Sequence, residues 1–326
     1  MTLPPPAAIG GDMRIIVARM VLLCMAPALM LTAAPYASSR AADTPAKTIS
    51  GSVSQTFDKA ASQIKVDIGA PLGERVLKVA ALADKELLAK AEVADIVKIE
   101  VDDPDGPQTI TKVDRIDRPV GRLERIIALG ISFALLLLLA ALVTCGKPQN
   151  FLIGTDKRYS NSKCQIALWF GAVGTVYLGA LALRFWLLGA DFIGGVGLPT
   201  NLVVLTGLSA FTFGGAKAIT VKKVADAAAA APPGAPPAKQ AAAKANFPAD
   251  LVQNDTGQFD IGDFQMILVV LAAVIIFALS AFHFLSTLQL ASPVTLPDAD
   301  TTLLSGFGLG QGAYLLKKAA SSAGDG

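Results

Sequence analysis

The chain has 326 residues, of which 53% are hydrophobic, 17% charged and 6% aromatic, with a formal net charge of +2. A soluble domain of this length carries more charge, and here the apolar residues fall in long unbroken runs, the pattern of membrane segments. No basic stretch is interleaved with aromatics, so the balance points away from a nucleic-acid partner and toward the lipid bilayer.

Residues 1–41 read as an export signal. Arg14 and Arg19 make a basic start, residues 21–34 a short apolar core, and Ser39, Arg40 and Ala41 a small-residue cleavage site, with Ala37 as a second possibility. Cleaved or retained as an anchor with its N-terminus inside, this segment sends the next one outward. Leu23 before Cys24 is too large for a lipoprotein cleavage site.

Residues 42–122 are the only sizeable polar stretch and read as a small exported α+β domain. Residues 74–88 carry apolar side chains close to helical spacing. Val97, Ile99 and Val101 alternate with polar residues as in a half-buried strand; residues 102–107 read as a turn, and Thr109, Thr111 and Val113 as the returning strand.

Residues 126–144 contain no charge and predict a first transmembrane helix within 123–145. Beyond it the chain runs twice through one programme, over 151–218 and 251–319. Tyr159, Gln165 and Leu168 match Phe259, Gln265 and Leu268. Gly207, Leu208, Phe213 and Lys217 match Gly308, Leu309, Tyr314 and Lys318 after one added residue. Each copy supplies two apolar segments: 165–188 with 202–218, and 265–287 with 302–316. The last reaches only about 22 Å as a helix, a thin span or a re-entrant segment; its longer counterpart favours a span. An Ala/Pro/Lys-rich linker occupies 221–249, and 320–326 form a tail. The fold expected is therefore mainly α: a multi-pass helical membrane protein with a small exported α+β domain, one lead helix and two tandem two-helix repeats.

Loop charges set the orientation. Lys147, Lys157, Arg158 and Lys163 follow the first helix. Lys217 at the end of the first copy is followed by Lys222, Lys223, Lys239 and Lys244 on the linker side, and Lys317 and Lys318 stand at the end of the second copy. Loops 189–199 and 288–300 carry no lysine or arginine. The basic side, with the C-terminus, is predicted to be the cytoplasmic face of a bacterial inner membrane. Lys112, Arg115, Arg118, Arg122 and Arg125 run against this rule, and pairing with Asp114, Asp117 and Glu124 accounts for them better than lipid phosphates do. Two spans per copy give both copies one insertion sense, unlike the inverted repeats of many carriers.

Few residues suggest chemistry. Ser162 with Gln165 fits a helix capping box, and Gln265 recurs at the matching place with Gly262 in place of the serine. Gly207, Ala210 and Gly214 in the first copy, and Gly306, Gly308, Gly310 and Gly312 in the second, make small-residue faces suited to close helix packing, against the other copy, a second copy of the chain or another membrane protein. Arg184, His283 and Gln311 are ionisable or polar residues within the apolar segments. Arg184 is expected to snorkel to the interface beside Trp186, and Gln311 to bond across to another helix.

Phosphate-loop, dinucleotide-binding, nucleophile-elbow, His-Glu-x-x-His and Cys-x-x-Cys patterns are missing, and His283 is the lone histidine, so no cofactor or metal is expected. The sequence reads as a non-enzymatic envelope protein, a scaffold or assembly partner; the alternative is a small oligomeric conduit for ions or a solute.

Overall fold

The computed structural model describes residues 47–70, 72–102, 109–154, 157–192, 195–230, 232, 245–253, 258–291 and 293–320. The expected export signal 1–41, positions 103–107 of the expected turn, positions 233–244 of the expected linker with Lys239 and Lys244, and residues 321–326 lie outside them.

Five strands open the described chain: β1 Lys47–Asp58, β2 Gln63–Asp67, β3 Glu74–Val79, β4 Ile96–Val101 and β5 Thr109–Pro119, with helix α1 Leu82–Leu88 between β3 and β4. They lie in the order β3-β2-β1-β4-β5, and β3 meets β5 in parallel through Lys78–Thr109 and Val79–Ile110. That pairing closes a five-stranded Greek-key barrel, the topology of OB-type barrels. Alternation fills it: Ile64 and Val66 from β2, Leu77 and Val79 from β3, Val97, Ile99 and Val101 from β4 are buried. The helix expected over 74–88 is therefore corrected to a strand followed by a short helix, and the domain is mainly β. Leu77 and Val79 point inward with exposed Lys78 between them, a period of two that pairing with β2 enforces.

Gly51 is required by this closure. A Cβ there would stand 2.5 Å from Val66 Cγ1 and 2.6 Å from the Asp67 carbonyl oxygen, so β1 passes β2 too closely for any side chain.

Five longer helices follow: α2 Arg122–Val143, α3 Asn161–Leu188, α4 Thr200–Ala230, α5 Ile261–Phe284 and α6 Thr301–Ala320. The first four are long and apolar enough to span a membrane. α6 is more polar, but its 20 residues reach about 30 Å, longer than the segment read from hydropathy. α4 continues twelve residues past Ala218 to Ala230, because its Ala-rich end favours helix; Lys217, Lys222 and Lys223 therefore lie on it.

The helices alternate in direction. α2 and α3 are antiparallel, with Leu129 against Gly179 and Leu136 against Gly174. α3 and α5 start together: Asn161 Nδ2 donates to the Leu251 carbonyl at 3.2 Å and the Asp263 carbonyl at 3.1 Å. α4 and α6 begin beside one another, since β6 Val196–Gly197 pairs in parallel with β8 Val294–Thr295 just before them. At their far ends Lys223 donates to the Lys318 carbonyl.

The barrel is tied to one end of the bundle. After α5 the chain forms β7 Thr287–Gln289, which pairs antiparallel with the last residues of β5 as a sixth strand. Arg118 binds Asp95 through two bonds of 3.0 Å and also donates to the Leu187 carbonyl on α3. Lys90 meets Asp191 at 3.2 Å. The described residues of loops 189–199 and 285–300 thus share the barrel end, and Lys147, Lys157 and Lys317 lie toward the far end.

Two short hairpins precede α3 and α5 with one geometry. Ser160 N donates to the Leu152 carbonyl and Asp260 N to the Val252 carbonyl, both at 2.8 Å. Isolated bridges join Ile153 to Tyr159 and Gln253 to Phe259.

Candidate functional site

Two places in the bundle gather polar groups. The first is a cavity of about 380 Å³ at the barrel end, where α3, α5 and β5 converge. Arg115 reaches it from β5, Arg184 from α3 and His283 from the last turn of α5, with Ser286, Thr287 and Gln289 from the loop beyond. Arg184 and His283, each noted in the sequence as an ionisable residue in an apolar segment, thus line one cavity.

Arg184 does not snorkel. It is 2% exposed and donates to the Gln289 carbonyl at 3.1 Å and the Ala291 carbonyl at 2.6 Å. An arginine in a dry helix bundle costs several kcal/mol unless it is hydrogen-bonded, so these carbonyls both satisfy it and hold the loop after β7. Nothing in the sequence marked that loop as its partner. His283 is exposed.

The second place lies deeper. Trp169 donates from Nε1 to Thr206 Oγ1 at 2.9 Å, and its ring sits 5.8 Å from Phe277 and 6.1 Å from Phe307. These residues make an aromatic layer across α3, α4, α5 and α6. About one helical turn toward the far end stand Gln165, Ser209 and Gln311, which the register places in a common layer. They are 1%, 1% and 3% exposed. Both carboxamide atoms of Gln165, Ser209 Oγ and Gln311 Oε1 have no hydrogen-bond partner among the described residues. The cross-helix bond expected of Gln311 is thus not made by its Oε1.

The capping box expected of Ser162 and Gln165 does not form. α3 begins at Asn161 after an N-cap at Ser160, so Gln165 sits too deep in the helix to reach back, and Ser162 Oγ lies 3.3 Å from Ser160 Oγ. In the second hairpin Asp260 is the cap and accepts from Gly262 N at 2.8 Å and Asp263 N at 3.2 Å. Gln265 is exposed while Gln165 is buried, so the two glutamines do not form a pair.

The small residues divide as well. Gly207, Ala210 and Gly214 are all exposed on α4, and a Cβ at Gly207 or Gly214 would meet nothing within 4 Å. Gly306, Gly310 and Gly312 are equally open, and only Gly308 has a neighbour, Leu208 Cδ1 at 3.7 Å. Close packing within the chain uses other glycines: Gly179, where a Cβ would lie 2.9 Å from Leu129, and Gly215, where it would lie 3.3 Å from Leu315. Residue type and spacing revealed small faces; which of them the fold uses depends on how the helices rotate.

The basic cluster near the barrel end is partly paired. Lys112 meets Asp114 at 3.0 Å and Arg115 meets Asp117 at 2.6 Å. Arg118 chooses Asp95 and Glu92 instead, Arg125 donates to the Phe282 carbonyl at 2.8 Å and lies over the Phe282 ring, and Glu124 accepts from Gly121 N. Among the described residues no group of three or more His, Cys, Asp or Glu side chains could hold a metal ion.

No protein-family model, curated protein or solved structure matches the chain.

Proposed function

We propose that this chain is a non-enzymatic scaffold or assembly partner of a bacterial-type inner membrane. Its barrel domain faces the outside, its C-terminus lies in the cytoplasm, and two tandem two-helix repeats follow the lead helix. The observation that carries this reading is the outward face of α4. Ala210 and Gly214 stand one turn apart, exposed, with Ala218 a turn further on. In a bilayer, small faces of this kind let a second helix approach closely. The conformity of the two hairpins at Leu152–Ser160 and Val252–Asp260 supports the duplication. The lack of lysine and arginine in loops 189–199 and 288–300, against Lys147, Lys157 and Arg158 in the loop between α2 and α3 and Lys163 at the start of α3, supports the orientation.

The test is a double Ala210→Leu, Gly214→Leu substitution. Open space around Gly214 leaves the monomer's fold intact. Crosslinked or native-gel complexes should then be lost while the melting temperature stays unchanged. Persistence of the same complexes in the variant would refute the scaffold reading.

A second reading draws on the unpartnered atoms of Gln165, Ser209 and Gln311: a conduit for ions or a small solute. The Trp169–Phe277–Phe307 layer stands against a path through a single chain. In a variant without the native thiols, Gln311→Cys should react with a water-soluble maleimide if the layer is reached by water. Protection of that cysteine counts against a conduit.

A further inference from the structure

The cavity between barrel and bundle has the chemistry of an anion site. Two guanidiniums, Arg115 and Arg184, and the His283 imidazole line it, and among the described residues no carboxylate does. Lys98 stands directly opposite Arg115 across the β4–β5 pair and adds to the positive field. The Gln289 and Ala291 carbonyl oxygens accept from Arg184 and orient its guanidinium at the cavity wall. Asp117, which does not line the cavity, takes one Arg115 N–H and offsets part of that charge, leaving most of a five-donor group for a ligand. Ser286 and Thr287, two residues with hydroxyl side chains, line it as well. The three cationic or imidazole side chains come from three separate elements, so the site exists only in the folded chain.

We propose that this cavity binds a phosphate-class oxyanion. Planar guanidiniums match phosphate oxygens two at a time, which favours this class over a spherical halide. At about 380 Å³ the space lies in the range of small-molecule sites, and part of its wall is apolar, including Val196 and Phe284. The oxyanion is thus carried on a body larger than itself. Its position beside the ends of α3 and α5 makes a phospholipid headgroup and a free phosphorylated solute the two sources. This site is independent of the scaffold reading, since it uses neither the α4 face nor any partner chain.

The test uses the full chain in neutral detergent and in nanodiscs of phosphatidylcholine with or without phosphatidylglycerol. The variant is Arg115→Gln with His283→Gln, which spares the buried Arg184. Its melting temperature without added anion should match that of the native chain. Inorganic phosphate, compared with chloride at equal ionic strength, should give saturable thermal protection that weakens about tenfold or more in the variant. That outcome assigns a free anion. Alternatively, phosphate alone gives no protection, but phosphatidylglycerol is retained in native mass spectra of the native chain and lost in the variant. That outcome assigns the lipid headgroup. If neither probe binds, or both bind native chain and variant equally, the proposal is overturned.

Discussion

Single residues carry the closest constraints. At Gly51 the barrel leaves no room, because a methyl group would overlap Val66 and the Asp67 carbonyl. Gly51→Ala should destabilise the protein by about 1–3 kcal/mol, the usual range for overpacking, measured by thermal or chemical unfolding. Arg118 and Asp95 form a buried pair in which Asp95 is 1% exposed. Arg118→Gln leaves that carboxylate without its cation, and breaking such a pair costs about 3–5 kcal/mol. The same unfolding measurement should register this as the larger loss. Arg118 was visible in the sequence as one of a basic run, yet its partner was assigned among neighbours on β5 and beyond. The true partners, Asp95 and Glu92, come from the segment before β4, which is adjacent only once the barrel closes.

At the scale of elements, helix contacts rather than composition decide the consequences of a substitution. Gly179 and Gly214 are both glycines in apolar helices. A Cβ at Gly179 would lie 2.9 Å from Leu129, while at Gly214 it would meet open space. Gly179→Leu should therefore loosen α2 from α3 and lower the melting temperature, and Gly214→Leu alone should leave it unchanged. At the far end of α5 and α6 an ion pair adds to their apolar packing: Lys317 on α6 meets Asp260, the α5 N-cap. Burial pushes the Asp260 carboxyl up, but the Lys317 ammonium and the Gly262 and Asp263 N–H groups outweigh it, so its pKa falls below the ordinary carboxylate value of about 4. A lowered folded-state value stabilises the protein above that pH and loses its effect as pH falls through it. Asp260→Asn keeps a helix cap and removes the ion pair. Its stability deficit at pH 7, about 0.2–1 kcal/mol, should shrink as pH falls below the ordinary carboxylate value and the Asp260 carboxyl takes up its proton, when the two melting temperatures are compared.

Over the whole molecule, the barrel shares one end with the loops before α4 and after α5, and the loop between α2 and α3 with Lys147 and Lys157, together with Lys163 at the start of α3, lies toward the other. Cys145, exposed beyond the end of α2, lies on the lysine side, and Cys164 is buried. In a Cys24→Ser variant, a membrane-impermeant maleimide should leave intact cells unlabelled and modify Cys145 after the membrane is opened. Labelling of intact cells would invert the proposed orientation. Cys164 should stay unmodified in both.

The sequence by itself determined the membrane helices, because an uncharged run long enough to cross hydrocarbon needs no tertiary partner to be recognised. It also determined the β4 alternation, since period two is a local property; β5 was legible as a strand, but its buried residues Ile110, Val113 and Ile116 fall three apart, not at Thr109 and Thr111, because bulges shift its pairing with β4. It located Arg184, His283 and the glycine faces as residue types. Only the tertiary structure decided that 74–79 is a strand, that β7 joins the sheet, that Arg184 is buried against carbonyls and that Gln165 and Gln311 share a layer. Each of these depends on helix rotation, on strand closure or on contacts between residues about a hundred positions apart, and neither periodicity nor composition encodes such distances.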